Sequence, residues 1–193
     1  MKMKKKLLAI LGSPHKNGAT SKMLDYAMEI AEQNGYDIHY INLYEKNIAY
    51  CKGCRACLAL HSCAVKDDIQ EISKLVKECS IIILAAPVYW ANVPAIVKNM
   101  FDRLLGVMME ETRTFPKPRL SKEQKYILFT ACNTPAPFSF LFGQSTGALR
   151  SMKEVFKTSG MRYGGSCVWT GSHKTVLPHY IERRIKKIIP NTF

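Results

Sequence analysis

The stretch Gly12-Ser13-Pro14-His15-Lys16-Asn17-Gly18-Ala19-Thr20-Ser21 constrains this chain more than any other. It follows the apolar run Leu7-Leu8-Ala9-Ile10-Leu11. It precedes a helical pattern near Ser21 in which Met23, Leu24, Ala27, Met28, Ile30 and Ala31 recur at helical spacing. The prediction is strand, polar loop, helix. A loop of small and hydroxyl residues at a helix N-terminus offers backbone N–H groups and the positive dipole end to an anion. Gly12 and Gly18 allow tight turns, and Ser13, Asn17, Thr20 and Ser21 can hydrogen-bond phosphate oxygens. No Gly-Lys-Ser/Thr closes the loop and no Gly-x-Gly-x-x-Gly is present, which speaks against a nucleoside-triphosphate or dinucleotide site. A single phosphate monoester suits it. Taken alone, the same residues also read as an ordinary glycine/serine turn with a helix cap.

The rest of the chain decides between these readings. Gly35 ends the first helix, and Tyr36 to Leu43 alternates as a second strand. Residues 44–66 carry a cysteine-rich loop without a clear period. Asp67-Asp68 caps a helix containing Ile69, Ile72, Leu75 and Val76. Ser80 to Ala86 is a continuous apolar run dominated by three isoleucines, the pattern of a central strand buried on both faces. Pro94 opens a helix with Ile96, Val97, Met100, Phe101 and Leu104 on one face. Residues 106–123 are irregular and read as a flap or interface segment. Strands over Tyr126–Ala131 and Arg162–Thr170, helices over Ser145–Ser159 and Leu177–Ile189, and a Pro-rich aromatic loop from Cys132 to Gly143 complete the chain.

Five strands alternating with helices, without repeat or linker, predict one α/β domain over 1–193: a doubly wound, five-stranded parallel sheet in the flavodoxin-like order 2-1-3-4-5. In that order ligands sit beyond the strand ends, between strands 1 and 3. Strand 1 ends at Ser13 and strand 3 at Pro87, so the two most distinctive loops converge where this topology binds FMN. The convergence favours FMN over a plain turn.

The formal charge is +13, with concentrations at Lys2 to Lys6 and at Arg183 to Lys187. No nucleic-acid-binding motif accompanies it, so a solvated surface that attracts phosphate-bearing cofactors is the preferred reading. No apolar run approaches the ~20 residues of a membrane helix. The basic start running into Leu7–Leu11 imitates a signal peptide but lacks a cleavage site, and a cytoplasmic protein is expected. Of seven cysteines, four crowd into thirteen positions as Cys51-x2-Cys54-x2-Cys57-x5-Cys63. In a reducing compartment this spacing points to a [4Fe–4S] cluster, with zinc and a disulfide as weaker readings and an empty thiol group as the plain alternative. Cys79, Cys132 and Cys167 read as buried apolar residues. The histidines show no ligand spacing with one another.

Five motifs then carry a resemblance, over about the first half of the chain. They are Gly12-Ser13-Pro14-x-x-Asn17-Gly18-x-Thr20-Ser21, Cys51-x-Gly53-Cys54-x-x-Cys57, Cys63-x-x-x-Asp67-Asp68, Ala86-Pro87-Val88-Tyr89-Trp90 and Lys98-x-x-Phe101-Asp102-Arg103. Together they resemble the NAD(P)H-dependent FMN reductase family, and within it the iron–sulfur flavoproteins. The resemblance implies bound FMN, with its phosphate held by Ser13, His15, Asn17, Thr20 and Ser21 around Gly18. It implies a ring against Pro87, Val88, Tyr89, Trp90 and Asn92, and a third wall from Cys132 and Asn133. It also implies dimers or tetramers that cover the flavin. His15 stands where the family often has Arg, and the third loop lacks the family's glycines.

Backbone N–H groups of residues 87–92 are expected to bond the ring, while Tyr89 and Trp90 either stack on it or pack on the next helix. No catalytic side chain is assigned, because the cofactor carries the chemistry. Asp102 and Arg103 read as structural hydrogen-bonding residues. The expected function is electron transfer from NAD(P)H, or from a ferredoxin-type donor through the cluster, to a quinone, flavin, nitro compound or oxygen. The alternatives are a flavin or thiol redox sensor that binds nucleic acid, and a flavodoxin-type carrier, which the basic charge disfavours.

Overall fold

A computed structural model describes residues 5–173 and 176–192. Residues 1–4, which hold Lys2 and Lys4 of the basic start, lie outside the described residues. Strand β1 (Lys6–Leu11) leads into helix α1 (Ala19–Gln33), which begins two residues before the expected Ser21. Strand β2 (Asp37–Asn42) follows and closes the first β-α-β unit. A 3-10 turn (Leu43–Glu45) is fixed by the Asn42 side chain, whose Oδ1 accepts the Tyr44 N–H at 3.1 Å.

The cysteine segment holds one short helix, α2 (Ala56–Leu60), between two left-handed residues, Arg55 and His61. Helix α3 (Ile69–Glu78) comes next. Its cap is set one residue early: Asp67 Oδ1 accepts the Ile69 N–H at 3.1 Å, while Asp68 turns away to the Asn47 N–H at 2.7 Å.

Strand β3 (Ile81–Pro87) is buried through Ala86, as its unbroken apolar run requires. Helices α4 (Ala95–Arg103) and α5 (Leu105–Met108) follow almost without interruption. The irregular segment after them contains two two-residue strands, β4 (Met109–Glu110) and β5 (Lys117–Pro118), paired antiparallel. It is fastened at its base by Arg119 N–H to Met108 O and Leu120 N–H to Ser159 O, both at 3.0 Å. Beyond these fastenings residues 110–118 and 121–123 are exposed, Phe115 among them. Strand β6 (Lys125–Cys132), helices α6 (Phe138–Leu141) and α7 (Gln144–Thr158), strand β7 (Arg162–Thr170) and helix α8 (His179–Thr192) complete the fold.

The main sheet is parallel, in the order β2-β1-β3-β6-β7, which is 2-1-3-4-5 when its own strands are numbered. The period of two along β1 divides the core. Leu7, Ala9 and Leu11 pack with Met23, Leu24 and Ala27 of α1 and with Ile181 and Ile185 of α8. Leu8 and Ile10 pack on the other face, in the layer of Ile72 and Val76 of α3, Val97 and Met100 of α4, and Met152 and Phe156 of α7. Helices therefore cover both faces, and the carboxyl ends of β1, β3 and β6 open side by side. Among the described residues no helix is long and apolar enough to cross a membrane.

Candidate functional site

At that carboxyl edge lies a cleft of about 470 Å³, within the range of small-molecule sites. Its first wall is the loop after β1. Gly12 does not use a special backbone angle. Its missing side chain is what matters, since a Cβ there would stand 2.3 Å from Val97 Cγ2 and push the loop off α4. Ser13 is buried and accepts the His15 N–H at 3.2 Å, and the Gly18 N–H returns to His15 O at 3.0 Å. This rolls the loop so that α1 begins at the cleft. Gly18 holds the cap position without any side-chain hydrogen bond, and no acidic residue occupies the first turn. The first N–H groups of a helix have no intrahelical partner, so this N-terminus presents donors and uncompensated positive dipole to the cleft.

The second wall follows β3. Tyr89 and Asn92 exchange backbone hydrogen bonds at 2.8 and 2.9 Å around Trp90 and Ala91, both left-handed with φ of 53° and 58°. That is a two-residue turn of a kind that favours Asn-Gly. Holding non-glycine residues there costs about 1–2 kcal/mol each. The turn presents Trp90 fully exposed at the rim. The N–H groups of Val88 and Val93 are taken by Ala131 O and Asn92 Oδ1, at 2.9 and 2.8 Å. In residues 88–93 this leaves the Trp90 and Ala91 N–H groups as donors toward a ligand, a narrower set than the sequence suggested.

The third wall is the end of β6. Cys132 Sγ lies 3.4 Å from Gln144 Oε1, Ser172 Oγ donates to Asn133 Oδ1 at 3.1 Å, and the Ser172 N–H donates to Cys132 O at 3.2 Å. These contacts hold the loop against the end of β7.

The structure brings together Ser13, His15, Gly18, Thr20, Pro87, Val88, Tyr89, Trp90, Cys132 and Asn133. Three anticipated residues stand aside. Asn17 is exposed outside the cleft wall. Ser21 is buried and donates its hydroxyl to Asp25 at 3.2 Å; burial pushes the Asp25 carboxyl up, and this hydrogen bond partly offsets it. Asn92 lines a separate cavity between α4, α5 and α7. Lys16 pairs with Glu45, which raises the Lys16 ammonium by a hydrogen bond and by charge. Ala19, Ala91, Ala131, Thr134, Gln144 and Ser172 also line the cleft. Ala19 was within reach of sequence reasoning as the first residue of the helix; Gln144 and Ser172 carried no local signal.

The cysteine segment lies apart from these walls in the sequence. Cys51 and Cys54 are exposed, Cys57 is half-buried and Cys63 is buried. Among the described residues, no three Cys, His, Asp or Glu side chains are gathered as a ready metal-ligand set. Cys79, Cys132 and Cys167 are buried, as expected, and burial pushes the Cys79 and Cys167 thiols up to about 11 and about 12. Arg103 is also buried, and its guanidinium meets both Asp67 oxygens at 2.9 Å.

Comparison with known proteins agrees with this fold. Residues 5–173 match the family model described as NADPH-dependent FMN reductase. An iron-sulfur flavoprotein of Archaeoglobus fulgidus is 45% identical over 100 residues, covering 52% of this chain and 46% of that protein. The chain thus spans about half the length of several curated relatives that it matches. An iron-sulfur flavoprotein of Clostridioides difficile is 29% identical over 94% of this chain and 75% of its own length. The solved FMN-dependent NADH-azoreductase of Bacillus anthracis, in complex with FMN, has the same fold, with a TM-score of 0.71 at 14% identity over 98% of each chain. With the family match spanning all five strands of the main sheet, the chain belongs to the NADPH-dependent FMN reductase family.

Proposed function

We propose that this chain binds FMN in the cleft and works as an NAD(P)H-dependent oxidoreductase. One observation carries the reading: an uncapped helix N-terminus, free of carboxylates in its first turn, opens into the cleft at the switch point of the sheet. The residues present fit the cofactor. Ser13, Gly18, Ala19 and Thr20 would hold the phosphate, with His15 at its edge. The Trp90 and Ala91 N–H groups and the Tyr89 ring would face the isoalloxazine, with Cys132, Asn133 and Gln144 on the far wall. FMN, when bound, supplies both hydride and single-electron chemistry. The chain's own residues therefore bind, orient and shield, and none is required as acid or base.

For the cysteine segment we propose ligation of an iron–sulfur cluster by Cys51, Cys54, Cys57 and Cys63, which passes single electrons from a ferredoxin-type donor. The donor set fits, being four thiols on one short loop, and the names of the relatives support it. The loop must close further to bring the thiols together. A second copy of the chain is the proposed cover for Trp90 and for Phe138, Leu141 and Phe142, an exposed apolar rim.

Anaerobic addition of NADPH or NADH to FMN-loaded protein is expected to bleach the flavin absorbance, and a quinone to restore it. Sedimentation of the same sample is expected to report at least a dimer. Bound flavin that neither nucleotide reduces would overturn the reductase reading.

A further inference from the structure

The cysteine segment does not hang free. It lies along one face of α4 and α5, on residues 99, 103 and 106, which follow one another at the i, i+4, i+7 spacing of a single helix face. Asn99 is buried, and its Oδ1 accepts the Cys51 N–H at 3.0 Å. Its Nδ2 donates to Ile48 O and Ala49 O at 3.3 and 3.2 Å. One turn on, Arg103 reaches both ends of the segment. It donates to Ala49 O at the entrance, and to Val65 O at 3.0 Å and the Asp67 carboxylate at the exit. Its Nε–H points at Cys63 Sγ, 3.0 Å away.

At the third position Gly106 lies under Cys57. A Cβ on Gly106 would stand 2.0 Å from the Cys57 carbonyl oxygen, so only glycine permits the contact. Arg119 bridges the same point, donating to Gly106 O at 2.7 Å and to Leu58 O at 3.1 Å. Among the described residues, Cys54 is the one of the four without such an anchor. It sits between Gly53 and Arg55, both left-handed, on an exposed turn tethered at the surface by the Arg55–Glu111 ion pair.

We propose that this helix face is a template for the four thiols, with Arg103 as its positioning residue. It fixes Cys51, Cys57 and Cys63, and leaves Cys54 as the ligand that closes last. The Arg103 N–H on the Cys63 sulfur also raises the reduction potential of the centre held there. This last part rests on the cluster reading above. One-electron reduction adds negative charge to the cluster and its thiolates, and an N–H donor to a ligand sulfur stabilises the reduced form. α4 begins just beyond the Trp90 turn of the cleft.

The test compares wild type with Arg103→Lys and Gly106→Ala. Lysine keeps a positive charge opposite Asp67 but cannot serve that carboxylate bidentately and donate to Cys63 at once. In metal-free, reduced protein, alkylation by iodoacetamide is followed peptide by peptide. Cys54 is expected to react first and Cys63 about tenfold or more slowly, a protection set by local opening. In Arg103→Lys the gap should collapse.

After anaerobic reconstitution with iron and sulfide, Arg103→Lys is expected to show a lower midpoint potential than wild type at equal iron content. Gly106→Ala is expected to hold less iron while FMN affinity stays unchanged. The template is overturned if Cys63 reacts as fast as Cys54 in wild type. The role of Arg103 is overturned if Arg103→Lys leaves both the alkylation order and the potential unmoved. Failure of wild type to take up iron would contradict the cluster reading alone, and the alkylation order would then decide the template by itself.

Discussion

Arg103→Ala is expected to lose about 3–5 kcal/mol of stability, because it strands a carboxylate and two carbonyls that a buried guanidinium now serves. Arg103 is 1% exposed and Asp67 9%. Domains of this size are stable by only about 5–15 kcal/mol, so the variant should sit close to its unfolding threshold. The pH dependence has a definite sign. Burial pushes the Asp67 carboxyl up. Hydrogen bonds from Arg103, from the Ile69 and Ala49 N–H groups, and the Arg103 charge outweigh it and hold the carboxyl below its usual range. A group depressed in the fold contributes stability that is present above its unfolded value, near 4, and lost as pH falls through the folded value. In Arg103→Ala the bias reverses, because burial then acts with less opposition and protonating Asp67 relieves part of the damage. Urea unfolding at pH 7 and at steps below pH 4 checks both points. A loss below about 1 kcal/mol at pH 7 would mean that the pair is incidental.

Ser13→Asp is expected to weaken FMN binding by roughly a hundredfold, about 3 kcal/mol, from one added negative charge close to the phosphate in a partly desolvated cleft. The new carboxylate can still accept the His15 N–H, and it adds an anion beside an uncompensated helix N-terminus, a contact of about 0.3–1 kcal/mol that offsets part of the cost of charging a buried position. Affinity therefore falls much further than stability, which a general loss of packing does not produce. Calorimetric titration with FMN and thermal unfolding of the free protein read the two effects separately. Parallel losses would point to a damaged loop rather than a charged one.

Much of this architecture is legible in the sequence because its central strands are buried on both faces. The run from Ile81 to Ala86 allows little else, and the loop from Gly12 to Ser21 marks the first strand–helix junction. Those two segments place the cleft. Elements that depend on contacts across the chain escaped. The two-residue strands β4 and β5 are too short to leave a period. The Trp90-Ala91 turn carries none of the Asn or Gly that marks such a bend. Asn92 sits beside cleft residues in sequence, yet its place at the end of the turn sends it to the neighbouring cavity. Gln144 and Ser172 reach the cleft only through the anchoring of the loop after β6. Arg103 looked structural from its helix end, as it is. Its contact with Cys63, forty residues away, is a product of tertiary packing alone.

On the proposed function, the first-strand loop and the start of α1 form a phosphate site, and this makes the cleft an FMN site. Equilibrium titration of the free protein with FMN and with riboflavin, the same ring without the phosphate, tests it most directly. One FMN per chain is expected, bound at least about a hundredfold more tightly than riboflavin, since several charge-assisted hydrogen bonds are lost with the phosphate. Equal affinities for the two, or no FMN bound at all, would contradict it.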